Sequence, residues 1–159
     1  MRRSGAVALI CCTVAVGAEA VAEPTAQDIR VMALNMYHEA RGEGRLGMLA
    51  VGWVVKNRMA DAAYPDSVAE VVYQGCQFSW VCDGRSDRPR DARAWRGALR
   101  LARQLLAAPG TDPTHGALWY HADYVRRPNL GEPVTRVARI GAHLFYARPA
   151  GTGAVIASR

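Results

Sequence analysis

Lysine, histidine, phenylalanine and cysteine are all scarce in this chain of 159 residues, and several shortages remove a class of function. Four histidines, His38, His115, His121 and His143, follow no HExxH spacing, since Gly42 stands where a second histidine would complete His38-Glu39. No G-x-S-x-G elbow marks a serine hydrolase, and no internal repeat suggests a solenoid. The longest apolar run, Ala6 to Val16, is too short to span a bilayer comfortably. Lys56 is the one lysine, so the positive charge is carried almost wholly by arginine. Cysteine occurs four times, twice as the neighbours Cys11 and Cys12. Ile10 and Cys11, which precede them, are not the small residues a lipoprotein signal uses, so a lipid anchor is not expected.

What is present begins with an export signal. Arg2 and Arg3 precede the apolar run, and Ala20-Val21-Ala22 fits the small-residue cleavage pattern, predicting a mature start at Glu23. Ala18-Glu19-Ala20 is a second site, and an uncleaved anchor is the alternative. The expected organisation is a signal peptide over 1–22, one catalytic domain over 23–148 and a flexible tail over 149–159, rich in glycine. Half the residues are apolar, enough for a packed core. An exported, oxidising compartment favours a disulfide between Cys76 and Cys82, with two free thiols as the alternative. The net charge of +6 suits an anionic polymer or surface, such as cell-wall glycan, polysaccharide or lipid headgroups. Nucleic acid is not an expected partner outside the cytoplasm. The arginine excess is equally what GC-rich coding produces.

Periodicity then orders the elements. Thr25 is a candidate N-cap with Asp28 in the first turn of a helix reaching Glu39, whose inward face is Ile29, Met32, Ala33, Met36 and Tyr37. A second helix spans 46–58 with Leu46, Leu49, Ala50, Trp53 and Val54 inward. Tyr64-Pro65-Asp66 is a turn, and Ser67 with Glu70 forms a capping box for a short helix to Gln74. Residues 75–84 show little helical signal and read as a loop or short strand pair. Arg85 to Arg90 reads as surface loop, and Asp91 caps a helix over 92–108 that Pro109-Gly110 stops. Its arginines, at 93, 96, 100 and 103, are a solvated face, with a glycan groove as the alternative. From Ala117 the period becomes two, predicting strands at 118–122, 135–139 and 143–147. The fold class is therefore α+β: a helical lobe followed by a small antiparallel β lobe.

The stretch Tyr37-His38-Glu39-Ala40-Arg41-Gly42-Glu43-Gly44 closes the first helix and carries two carboxylates at a glycine corner. Cleaving a glycosidic bond needs a proton delivered to the leaving oxygen, and a carboxyl group kept protonated by apolar neighbours supplies it. Met36 and Tyr37 are placed to desolvate Glu39, Glu43 to raise its pKa further, and Arg41 to oppose both if it turns inward. Spacing alone leaves an ordinary charged helix end equally open. Gln77-Phe78-Ser79-Trp80 interleaves aromatics with hydrogen-bonding groups as sugar sites do, and equally as a core pair pinned by a disulfide does. Tyr120 and His121 are further candidates for the same cleft. Two other classes stay open: a zinc amidase using converging histidines, and a wall-binding module without catalysis.

The segment from Ala33-Leu34-Asn35-Met36-Tyr37-His38-Glu39-Ala40-Arg41-Gly42-Glu43 strongly resembles the opening motif of the SleB/CwlJ-type cell wall hydrolases. The resemblance continues through Val54-Val55-Lys56-Asn57-Arg58, Cys76-Gln77-Phe78-Ser79-Trp80 and Cys82-Asp83-Gly84. It closes with Trp119-Tyr120-His121-Ala122 and Ile140-Gly141-Ala142-His143-Leu144-Phe145-Tyr146, covering about residues 28–148 in order. One departure is Arg126-Arg127-Pro128-Asn129-Leu130, which lacks an aromatic after the proline. The resemblance implies a lysozyme-like α+β domain acting on peptidoglycan between N-acetylmuramic acid and N-acetylglucosamine, as a lytic transglycosylase. It implies Glu39 as the acid that then becomes the base, with no metal or other cofactor. Glu43, Gln77, Phe78, Ser79, Trp80, Tyr120 and His121 are the expected substrate contacts. The expected working form is a monomer in the periplasm or cell wall, without stable membrane insertion after cleavage.

Overall fold

The computed structural model of the chain describes residues 23–108, 110–126 and 130–150; the expected signal peptide, Pro109, the 127–129 segment and residues 151–159 of the tail lie outside them. Five helices come first: α1 (Ala26–Ala40), α2 (Gly44–Met59), α3 (Val68–Tyr73), α4 (Ser79–Cys82) and α5 (Ala92–Ala107). Three strands follow, β1 (Trp119–Ala122), β2 (Thr135–Ile140) and β3 (His143–Ala147). The sheet is antiparallel with β3 in the centre, in the order β1-β3-β2. A helical lobe followed by a small antiparallel sheet is the expected fold class.

Local chemistry starts α1 where the sequence places it. Thr25 Oγ1 accepts from the Asp28 amide at 3.1 Å, and Asp28 returns a bond from the Thr25 amide at 3.1 Å. This reciprocal box satisfies two of the amides that a helix start leaves without partners. At α3 the box is half made: Ser67 Oγ accepts from the Glu70 amide, but Glu70 takes the Ser67 hydroxyl instead of its backbone. Asp91 caps α5 by accepting from the amides of Arg93 and Ala94 at 2.9 Å each.

The main core lies where α1 is covered by α2, α3 and α5, and includes Met32, Met36, Val51, Val55, Val71, Val72, Leu101 and Leu105. A smaller cluster of Ala50, Val54, Ala117 and Phe145 joins α2 to the sheet. The expected face of α2 is therefore corrected. Leu46 is exposed, whereas Met48, Val51 and Val55 are buried with Ala50 and Val54. A helix packed by α1, α3, α5 and β2 has no single inward stripe for periodicity to find. Gly52 marks its closest approach, since a Cβ there would lie 2.2 Å from Met36 Cε and 2.7 Å from Leu105 Cδ2.

The 75–84 stretch is also corrected. It contains α4, a single turn that is too short to show a period. The Cys76–Cys82 disulfide, with Cα atoms 5.6 Å apart, closes this loop over Phe78 and Trp80. At the far end, Arg148 bridges Glu132 and Asp61, fastening the end of β3 near the end of α2.

Candidate active-site groove

A groove of about 1240 Å³ runs between the end of α1, the 77–91 segment and β1. Glu39, in the last turn of α1, lines it together with His38, Arg58, Gln77, Phe78, Ser79, Trp80, Tyr120, His121 and His143. The helix repeat explains the placement, because Asn35 and Glu39 lie four residues apart and share one side of α1. Asn35 is fully buried and accepts from the Trp80 indole Nε1 at 3.1 Å, which pins the short α4 turn beside Glu39. Trp80 then stacks on His38, centroids 4.9 Å apart and planes 17° from parallel.

Glu39 is half-buried, and its carboxyl is held above its ordinary value of 4.5. Burial is the larger cause, because a charge leaving water loses hydration. It is opposed by the Tyr120 hydroxyl, which donates to Glu39 Oε2 at 3.0 Å, and by the His38 ring. The Tyr120 phenol is itself pushed well above 10 by burial and by Glu39, so it stays a neutral donor. Edge contacts of Tyr120 with His143, at 5.3 Å, and its tilted contact with Phe145, at 5.5 Å, hold the ring in place.

The reach of Tyr120 depends on how β1 is launched. Asn57 Nδ2 bonds Asp112 Oδ2 and the Ala117 carbonyl at 3.0 Å each, and Arg58 Nε donates to the Leu118 carbonyl at 2.8 Å. Arg58 is only 5% exposed, with its guanidinium 5.2 Å from the Tyr64 ring centroid and 5.3 Å from that of Phe78. Two adjacent residues of α2 thus set the position of the strand that carries the donor to Glu39.

The other expected site residues divide. Gln77 and Ser79 are exposed on the groove wall, while Phe78 and Trp80 are 2% and 5% exposed and shape it from beneath. His121 contacts the Ala122 carbonyl through Nδ1 at 2.8 Å and the Tyr146 hydroxyl through Nε2 at 3.1 Å, so both ring nitrogens are engaged. A carbonyl can only accept, which makes Nδ1 the protonated nitrogen. Glu43 is a correction. It does not line the groove and is not among the groups that raise the Glu39 pKa. Its Oε2 accepts from the Ala142 amide at 2.9 Å, tying the α1–α2 corner to the β2–β3 turn. Arg41 likewise stays outside the carboxyl's balance of charges, with its guanidinium 5.2 Å from the Tyr37 ring.

Asn35, Asn57 and Arg58 carry no expected site role from the sequence, and His143 enters it only among the histidines of the zinc-amidase alternative. One sequence signal does mark Asn35: it is the single strongly polar residue within the apolar stretch from Val31 to Tyr37, four positions before Glu39. Among the described residues, no three His, Cys, Asp or Glu side chains group as metal ligands. No helix of the described residues is long and apolar enough to cross a membrane.

A family model described as Cell Wall Hydrolase matches residues 42–146, which leaves Glu39 just outside the matched span. A spore cortex-lytic enzyme of Halalkalibacterium halodurans is 34% identical over 118 residues, covering 74% of this chain and 34% of the relative. The chain therefore spans about a third of the length of that relative. A cell wall hydrolase CwlJ of Bacillus subtilis is 32% identical over 132 residues, covering 80% of this chain and 89% of the relative. The solved catalytic domain of the germination-specific lytic transglycosylase SleB from Bacillus anthracis superposes with a TM-score of 0.61 at 30% identity, covering 76% of this chain and 94% of that one.

Proposed function

The chain belongs to the cell wall hydrolase family, and on that premise we propose that it is an exported peptidoglycan glycosidase working as a lytic transglycosylase. The observation that carries the reading is the half-buried Glu39 carboxyl in the groove, held above its ordinary pKa and oriented by the Tyr120 hydroxyl. A carboxyl in that state is populated as the acid nearer to neutral pH than a solvated one, as proton delivery to a leaving oxygen requires.

The proposed reaction runs in two proton transfers. The Glu39 carboxyl gives its proton to the oxygen linking N-acetylmuramic acid C1 to N-acetylglucosamine, and the C1–O bond breaks with both electrons going to that oxygen. Positive charge on the muramic ring then faces the Glu39 carboxylate. That carboxylate takes the proton of the muramic C6 hydroxyl while O6 bonds to C1, closing a 1,6-anhydro ring and restoring the acid. No water is consumed, and one carboxylate suffices because the nucleophile belongs to the substrate. The position of Glu43 supports this economy, since it is committed to Ala142 outside the groove. The carboxylates of Asp83, Asp87 and Asp91 line the groove from exposed positions. The proposed place of action is the periplasm or cell wall.

Glu39→Gln keeps the shape and an acceptor for Tyr120 while removing the transferable proton. Digestion of purified peptidoglycan should fall by about 10²–10⁴-fold with the far-ultraviolet circular dichroism spectrum unchanged. Near-full activity in that variant contradicts the reading.

A further inference from the structure

One wall of the groove is the 83–91 segment, fastened to α1 beside Glu39: the Tyr37 hydroxyl accepts from the amides of Arg90 and Asp91 at 3.0 Å each. The His38 ring adds a contact from Nε2 to the Asp87 carbonyl at 3.2 Å. This wall presents Arg85, Arg88 and Arg90 to the groove, all exposed, and among the described residues their side chains make no ion pair or hydrogen bond. Of the wall's acids, Asp83 accepts from the Arg85 amide and Asp91 caps α5, which leaves Asp87 as the carboxylate there without a hydrogen bond. Tyr124, 84% exposed, Val125 and Leu130 also line the groove, and none of these three carries a charge.

A glycan of alternating N-acetylglucosamine and peptide-linked N-acetylmuramic acid carries no charge on its sugar chain. Three unpaired guanidinium groups on one wall gain little from such a chain. The peptide substituents of peptidoglycan do carry carboxylates, and they leave the strand sideways from the muramic lactyl group. Guanidinium groups pair with carboxylates through parallel N–H···O bonds, and the backbone that carries these three is anchored at both His38 and Tyr37, in the turn of α1 that bears Glu39. We infer that Arg85, Arg88 and Arg90 form a subsite for the carboxylates of the peptide substituents, so that the enzyme selects glycan bearing anionic peptides. This inference rests on the glycosidase reading of the same groove.

The test compares native peptidoglycan sacculi with sacculi whose carboxylates have been converted to neutral amides by carbodiimide coupling to ethanolamine. The full chain should digest neutralised sacculi with a KM about three- to tenfold higher and kcat little changed, as expected for a few exposed charge pairs. The triple variant R85Q/R88Q/R90Q should show the same loss on native sacculi and no further loss on neutralised ones. Replacing all three by lysine should restore most of the native KM at low salt and lose it as salt rises. Equal wild-type KM on both substrates overturns the inference, and so does a triple-glutamine loss of the same size on both. A glutamine variant that fails to fold leaves the decision to the wild-type comparison and the lysine variant. Wild-type protein that releases nothing from either substrate overturns the glycosidase reading itself, and the subsite with it.

Discussion

Two opposed influences meet at Glu39: burial raises the proton affinity of its carboxyl, while the Tyr120 hydroxyl and the His38 ring lower it. Because burial wins, the folded protein holds this proton more tightly than the unfolded chain does, and that difference is a stability term. Below the ordinary value of 4.5 the group is protonated in both states and costs nothing. As pH rises through the folded-state pKa, the native protein must ionise a half-buried group, and stability is lost. Glu39→Gln removes that cost, so the variant should melt above wild type at pH 7 and at about the same temperature below pH 4. Thermal denaturation at the two pH values checks this. A variant that melts lower at pH 7 would mean that the carboxylate is stabilised in the groove, against the role of an acid.

At the scale of elements, the groove depends on contacts that hold the α1–α2 corner, α4 and β1 in register. The corner is tied to the β2–β3 turn by Glu43 and Ala142, and Gly141 makes the approach feasible. Gly141 has φ of +57°, and a Cβ there would lie 1.9 Å from Glu43 Oε2. Gly141→Ala should cost about 1–3 kcal/mol in urea unfolding, by left-handed strain together with loss of the carboxylate bond. In a Glu43→Ala background the same change should cost clearly less, because the contact is already gone. Full additivity would show that the two residues act independently.

The elements that were legible in the sequence have local causes. The α1 start follows from Thr25 and Asp28, the α5 start from Asp91, and β3 from alternation over 143–147. The α2 face was not legible because it is set by four packing partners, and α4 was not because one turn has no period. The site divides the same way. A carboxylate after Met36 and Tyr37 at the end of an amphipathic helix makes Glu39 a candidate with a charged helix end equally open, and the groove beside it appears only in the fold. The roles of Asn57 and Arg58 appear only when the 112–118 segment folds back on α2, about sixty residues later in the chain. Glu43 misled for the same reason: four residues from Glu39 suggests a shared cleft, and a turn ninety-nine residues on claims its side chain instead.

Over the whole molecule, the helical lobe supplies the carboxyl, the sheet supplies its donor, and the disulfide-closed 76–82 loop supplies the third wall. Closing so short a loop stabilises the fold by roughly 2 kcal/mol in the chain-entropy account. Dithiothreitol should therefore lower the melting temperature by several degrees and reduce wall digestion, with Glu39 untouched. The Cys76→Ser/Cys82→Ser variant should reproduce both effects and no longer respond to reductant.

The reaction proposed for Glu39 consumes no water, and this can be read from the ends of its products. Purified peptidoglycan digested by the wild-type protein should yield muropeptides that end in 1,6-anhydromuramic acid, one water lighter in the mass spectrum than the reducing-end forms. Glu39→Gln should yield neither form above background. Reducing ends from the wild type, or free peptides from uncut glycan, would contradict the account.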